Sequence, residues 1–169
     1  LNEPKYFKNF LMSLGADVPF CYYGKSAIVS GIGEKIDFVQ DIKEFYILLI
    51  NPKIEFSTKD IFSSLKVRSN LKAKTSGTAS LFNNLDNILL RNNDLESHVV
   101  EINEKILEIL NNLKSYKGCV LSRMTGSGAT CFGLFDSIND LDNATVKAKR
   151  EFKNYWIRSS KLINSIRHI

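Results

Sequence analysis

The sequence predicts an α+β fold over residues 44–169: an antiparallel sheet with helices on one face, on the split βαβ plan. Three observations predict it. A continuous apolar run, Phe45–Ile50, is cut off by Asn51-Pro52 and has the length of a strand buried on both faces. Leu95, Val99, Ile102, Ile106, Ile109, Leu110 and Leu113 then recur at helical spacing. Finally, two short runs, Cys119–Ser122 and Thr130–Phe135, flank a turn of small residues, and a helical pattern and a last strand follow. Strand, helices, strand, strand, helix, strand is the split βαβ order.

Taken in order, residues 1–14 carry Phe7, Phe10, Leu11 and Leu14 on one helical face. Gly15 can take the left-handed turn that ends such a helix. Pro19 is expected to stop helix regrowth and to hold Val18 extended. Asp17 then stands on a connection at a helix exit, where catalytic groups often sit. On local features alone a solvated turn residue is the stronger reading.

Residues 22–39 read as a β-hairpin, Ala27–Ser30 and Lys35–Val39 flanking Gly31-Ile32-Gly33. Gln40–Glu44 is polar and marks a boundary between a domain of residues 1–43 and one of residues 44–169. Beyond the central strand, Ser57 or Thr58 caps a helix reaching about Leu65. Lys66–Ser80 is a polar loop, and Leu81–Arg91 holds a short apolar helix. Asn93-Asp94-Leu95-Glu96 has the form of a capping box opening the long helix, and Gly118 lies past its end. Ser137 caps a helix whose inner face is Ile138, Leu141, Ala144, Ala148 and Phe152, and Tyr155–Ser159 is the last strand.

Composition narrows the function classes. The 169 residues are 44% hydrophobic and 24% charged, an ordinary globular balance. No apolar run approaches the roughly 18 residues of a membrane span. The net charge of +5 favours anionic partners such as nucleotide phosphates. Lys and Arg are scattered and not interleaved with aromatics, which disfavours a nucleic-acid binder. Cys21, Cys119 and Cys131 show neither zinc-site spacing nor an even disulfide set. Each stands beside apolar residues, so buried thiols in a reducing cytosol are expected.

Thr125-Gly126-Ser127-Gly128-Ala129-Thr130 is a second chemical signal. Two glycines and a small hydroxyl residue let the backbone approach an anion closely. The stretch is not a P-loop, because no Gly-Lys-Ser/Thr follows, and it is not the dinucleotide fingerprint, because Cys131 stands in place of the third glycine. Taken alone it is equally a tight hairpin with no ligand.

In combination the stretches say more. Leu14–Phe20 (LGADVPF), Gly31–Glu34 (GIGE), Asn93–Glu96 (NDLE) and Thr125–Cys131 (TGSGATC) resemble motifs of the GHMP kinases, in the family's order and over nearly the whole chain. Two departures stand out. The family has proline-glycine after its central strand, whereas Pro52 is followed here by Lys53. The family's glycine-rich phosphate loop and its amino-terminal lysine do not occur in these residues. The resemblance is therefore to a carboxyl-terminal portion, expected not to bind ATP tightly or turn over alone.

The resemblance implies a GHMP-kinase-like fold. Residues 1–43 would be the tail of a ribosomal-protein-S5-like nucleotide-binding domain, and residues 44–169 a ferredoxin-like carboxyl-terminal domain. It implies an ATP-dependent small-molecule kinase that phosphorylates a hydroxyl of a cytidine-diphosphate-linked polyol in non-mevalonate isoprenoid synthesis. ATP and Mg2+ are the implied cofactors and the cytoplasm the implied compartment, with neither nucleic acid nor membrane as partner. By the same resemblance Asp17 takes or orients the proton of the attacking hydroxyl. Gly126, Ser127 and Gly128 border phosphates or substrate. Thr58 matches a threonine near the family's substrate site, although a helix cap explains it equally well. A non-catalytic binding module of the same fold is the alternative.

Overall fold

The computed structural model describes residues 5–39, 43–57, 61 and 92–163. Contacts divide the chain into two compact units: of the described residues, 5–39, 43 and 163 fall in the first and 44–57, 61 and 92–162 in the second, with a boundary between Lys43 and Glu44.

The first unit opens with α1 (Lys5–Leu14), followed by α2 (Val18–Tyr23). Pro19 lies in the first turn of α2, where its missing N–H breaks no helical bond. This corrects the expectation that Pro19 blocks a new helix and keeps Val18 extended: its fixed φ starts α2 instead. Strands β1 (Ala27–Ser30) and β2 (Lys35–Phe38) form the expected antiparallel hairpin, with Ala27 opposite Phe38 and Ser30 opposite Lys35. Edge-to-face rings run from Phe7 through Tyr22 and Tyr23 to Phe38, with centroids 5.2, 5.5 and 5.4 Å apart. They tie α1, α2 and β2 together.

The second unit runs β3 (Phe45–Asn51), α3 (Glu96–Ile102), α4 (Glu104–Ser115), β4 (Cys119–Met124), β5 (Cys131–Phe135), α5 (Ile138–Glu151) and β6 (Trp156–Leu162). The sheet order is β4-β5-β3-β6, and every neighbouring pair is antiparallel. Strand β3 is interior, with Ile47 opposite Leu134 of β5 on one side and Ser160 of β6 on the other. One core cluster joins Leu48, Ile50, Met124, Cys131, Phe135 and Ile157 of the sheet to α4 and α5. From α4 come Ile106, Ile109, Leu110 and Leu113, and from α5 Leu141, Ala144 and Ala148. Leu48 and Ile50 are fully buried, while the alternate residues Ile47 and Leu49 stay half-buried. The expectation of a strand buried on both faces is thus corrected in part: Leu48 and Ile50 join the core cluster on one face, whereas on the other Phe45 is buried and Ile47 and Leu49 only half-buried.

The single long helix expected over Leu95–Leu113 is two helices. Asn103 adopts an extended conformation (φ −150°, ψ 104°), and its side chain accepts a hydrogen bond from Lys105 N–H, capping α4. Side chains that compete for the backbone in this way favour caps over helix interiors. The break leaves Ile102 exposed, although the spacing places it on the inner stripe. Ser137 caps α5 as expected, accepting from Asp140 N–H, but Ile138 is exposed. The expected helix up to Leu65, the Lys66–Ser80 loop and the Leu81–Arg91 helix lie outside the described residues. Ile61 is the exception: it is buried, and its N–H donates to the Ser57 carbonyl.

Of the three thiols, Cys131 is buried, Cys119 half-buried and Cys21 exposed. The expectation for Cys21 is corrected: the short helix α2 buries Pro19 and turns Cys21 outward. Burial, helped by the charge of Glu96, pushes the Cys131 thiol up to about 12, so it stays protonated at neutral pH. The ends of α4 and α5 are pinned together where the Tyr116 hydroxyl donates to Glu151 Oε2 at 2.6 Å. Burial, then the Glu151 carboxylate, raise the Tyr116 hydroxyl well above its ordinary value. Tyr116→Phe is expected to lower stability by about 1 kcal/mol. Urea denaturation checks this, and an unchanged midpoint would show that the bond contributes nothing.

Candidate active site

The candidate residues fall in both units, and each group is built separately. In the first, Gly15 (φ +154°) leads the chain out of α1, and Asp17 stands just ahead of α2 with φ −89° and ψ −11°. Its side chain makes no capping hydrogen bond and is exposed. A carboxylate left unengaged at a fixed backbone position can accept or orient a hydroxyl proton.

The hairpin turn of the first unit supports that position. Gly33 is buried at φ +101°, and a Cβ built on it collides with the Ala16 carbonyl. Only glycine therefore lets the turn pack flush against the peptide preceding Asp17. The turn is also braced internally. Glu34 Oε2 accepts from the Ile32 N–H at 2.6 Å. Hydrogen bonds from the backbone at Glu34 itself and at Ile32 hold this carboxyl below its ordinary value.

In the second unit the stretch from Thr125 to Thr130 links β4 to β5 as a tight turn. The Thr125 N–H donates to the Thr130 carbonyl at 2.9 Å, and the Gly128 N–H to the Thr125 carbonyl at 2.8 Å. Gly126 and Gly128 have φ of +48° and +88°. A Cβ at Gly128 would lie 2.8 Å from Met124 Sδ, whereas one at Gly126 would meet nothing within 4 Å. The turn is thus packed on its Gly128 side and open at Gly126, which fits the close approach of a phosphate group to the backbone.

Three side chains from distant segments grip the turn. Asn93 Nδ2 donates to the carbonyls of Met124 (3.0 Å) and Gly126 (2.8 Å). Glu96 Oε2 accepts from the Met124 N–H at 2.6 Å. Asn51 Nδ2 donates to Thr130 Oγ1 at 2.8 Å. The capping box expected of Asn93 and Glu96 is therefore only half realised. Asn93 Oδ1 does accept from the Leu95 N–H near the start of α3, but Glu96 reaches across to β4.

Asn51 also accepts from the Lys53 N–H at 2.7 Å. Lys53 has φ +58°, the left-handed conformation in which the family's glycine would sit without strain. A non-glycine residue there costs about 1–2 kcal/mol. Lys53→Gly is expected to raise stability by about 1 kcal/mol, part of the relief being offset by the looser unfolded chain. Thermal unfolding of the variant checks the sign.

Of the residues singled out in the sequence, Asp17 thus belongs to the first unit and Gly126, Ser127 and Gly128 to the second. Thr58 lies outside the described residues. Gly33, Asn51 and the side chains of Asn93 and Glu96 gain a part in the site that local sequence rules do not assign. The advance signal for Gly33, Asn93 and Glu96 was their position inside the matching stretches, and Asn51 carried none.

Comparison with known proteins decides the family. The description "GHMP kinases C terminal" matches residues 67–154. The chain belongs to the GHMP kinase family. This member is 36% identical over 94% of its length to a Chelativorans protein named 4-diphosphocytidyl-2-C-methyl-D-erythritol kinase. It is 32% identical over 90% of its length to one of the same name from Roseobacter denitrificans. The chain covers 54% and 52% of those two, so it spans about half the length of the curated relatives it matches. Among solved structures, a 4-(cytidine 5'-diphospho)-2C-methyl-D-erythritol kinase superposes with a TM-score of 0.66 at 20% identity, over 90% of this chain and 56% of that one. Homoserine kinase from Cytophaga hutchinsonii superposes with 0.61 at 15%, over 88% and 51%. At these identities the two structures speak to fold, and they agree with the α+β architecture of this GHMP kinase.

Proposed function

We propose that this GHMP kinase chain serves the ATP-dependent phosphorylation of the 2-hydroxyl of 4-diphosphocytidyl-2-C-methyl-D-erythritol, a step of non-mevalonate isoprenoid synthesis in the cytoplasm. The observation that carries the reading is identity of 32–36% to kinases of that name over nine-tenths of the chain or more. Residues 1–43 are assigned to the tail of the nucleotide-binding domain and residues 44–169 to the carboxyl-terminal domain, an assignment supported by the contact boundary between Lys43 and Glu44.

Phosphoryl transfer needs mainly positioning and charge stabilisation. Asp17 is assigned to the proton of the attacking hydroxyl, which its exposed carboxylate can accept. Gly126, Ser127 and Gly128 are assigned to the border of a phosphate-bearing group, and Thr58 to the substrate side. ATP supplies the phosphoryl group. Among the described residues no three His, Cys, Asp or Glu side chains are grouped to hold a metal ion.

The test uses the full-length protein that carries this chain, with Mg2+, ATP and the cytidine-diphosphate-linked methylerythritol. Production of ADP and a phosphorylated polyol in equal amounts is expected. Binding of the polyol without turnover would replace the kinase by a non-catalytic binding module.

A further inference from the structure

The side chains of Asn93 and Glu96 do more than start a helix. Asn93 divides its hydrogen bonds between two elements: both amide protons go to carbonyls of the glycine turn, at Met124 and Gly126, and its oxygen takes the Leu95 N–H. Glu96 takes the Met124 N–H. Met124, the last residue before the turn, therefore has both backbone groups held by side chains of one four-residue stretch. The second carbonyl held by Asn93 belongs to Gly126, the position where the turn is open. Asn51 fixes the other leg of the turn at Thr130.

A turn rich in glycine has many accessible conformations, and a binding site needs one of them. Side-chain hydrogen bonds from a neighbouring element supply that restriction without covering the open face. We propose that Asn93 and Glu96 are positioning residues, which hold the Met124–Gly126 leg of the turn in the conformation that receives the phosphate-bearing substrate. The proposal rests on the kinase reading above for its substrate, and on the hydrogen bonds alone for its geometry.

The pair makes distinguishable demands. Asn93 must donate twice, so Asn93→Asp, of the same shape, sets a carboxylate against two carbonyls and breaks the grip. Glu96 need only accept, so Glu96→Gln retains the bond to Met124 while Glu96→Ala loses it. In the full-length kinase, Asn93→Asp and Glu96→Ala are expected to raise KM for the polyol or ATP by roughly tenfold, the worth of about one good hydrogen bond. Their kcat should fall less, and Glu96→Gln should stay near the parent.

A second readout needs no activity. In the same protein, amide NMR shifts and hydrogen exchange of Gly126, Ser127 and Gly128 should change in Asn93→Asp and Glu96→Ala, and hold in Glu96→Gln. Unchanged turn amides in folded Asn93→Asp and Glu96→Ala would overturn the proposal whatever the kinetics. A loss of kcat in Glu96→Gln equal to that in Glu96→Ala would also overturn it, by making the charge itself the working group. If the parent protein shows no kinase activity while the amides respond as expected, the kinase reading fails and the positioning of the turn stands. If Asn93→Asp does not fold, the Glu96 pair carries both readouts.

Discussion

Asp17→Asn in the full-length kinase is expected to lower kcat by roughly a hundred- to ten-thousandfold, the usual worth of a general base. The physical basis is specific. Asp17 stands ahead of α2, but its side chain makes no capping hydrogen bond and is exposed. The substitution should therefore leave the thermal midpoint close to that of the parent, separating loss of chemistry from loss of fold. Asparagine keeps the shape and removes the proton-accepting charge, so KM should move little. Near-parental kcat in the well-folded variant would remove Asp17 from the reaction.

Gly33→Ala is expected to have the next largest effect, lowering kcat by about a hundredfold through displacement of the Asp17 segment, as small misplacements near a reacting group do. The control lies two residues away. Gly31 (φ +71°) and Gly33 (φ +101°) both have left-handed backbones, so alanine strains either one. At Gly31 the atoms nearest the added Cβ are those of the Glu34 carboxyl, the movable end of a side chain. At Gly33 it meets the backbone of Ala16. Gly31→Ala should therefore lose about 1 kcal/mol of stability and keep its kcat. Equal kcat in the two variants, each assayed well below its melting temperature, would show that the hairpin turn does not hold Asp17 in place.

The sequence made some of this architecture readable and concealed the rest for identifiable reasons. The β1–β2 hairpin was readable because Gly31 and Gly33 mark a turn between two β-rich runs. The sheet of the second unit was readable from four strand patterns in the split βαβ order. The break at Asn103 was not, because the apolar spacing runs across it, and one residue's switch to an extended backbone leaves no trace in that spacing. Pro19 misled because the same ring that ends one helix is welcome in the first turn of the next. Among the candidate residues, Asp17 and the glycine turn stood out by residue type. The grip of Asn93 and Glu96 on Met124 did not, because its partner lies 28 residues beyond Glu96 and the local capping rule supplied a sufficient explanation nearer by.

The strand order also bears on how the second unit is made. Strand β3 emerges from the ribosome early, yet its partner along one edge, β6, is Trp156–Leu162 and emerges after every other strand of that sheet. Until then the row of N–H and C=O groups on that side of Phe45–Asn51, among the most apolar stretches of the chain, has no partner strand. An open, apolar edge of this kind invites pairing with another nascent chain. Translation that stalls before Trp156–Leu162 has emerged therefore leaves this edge of β3 open to aggregation even when β5 already covers the other.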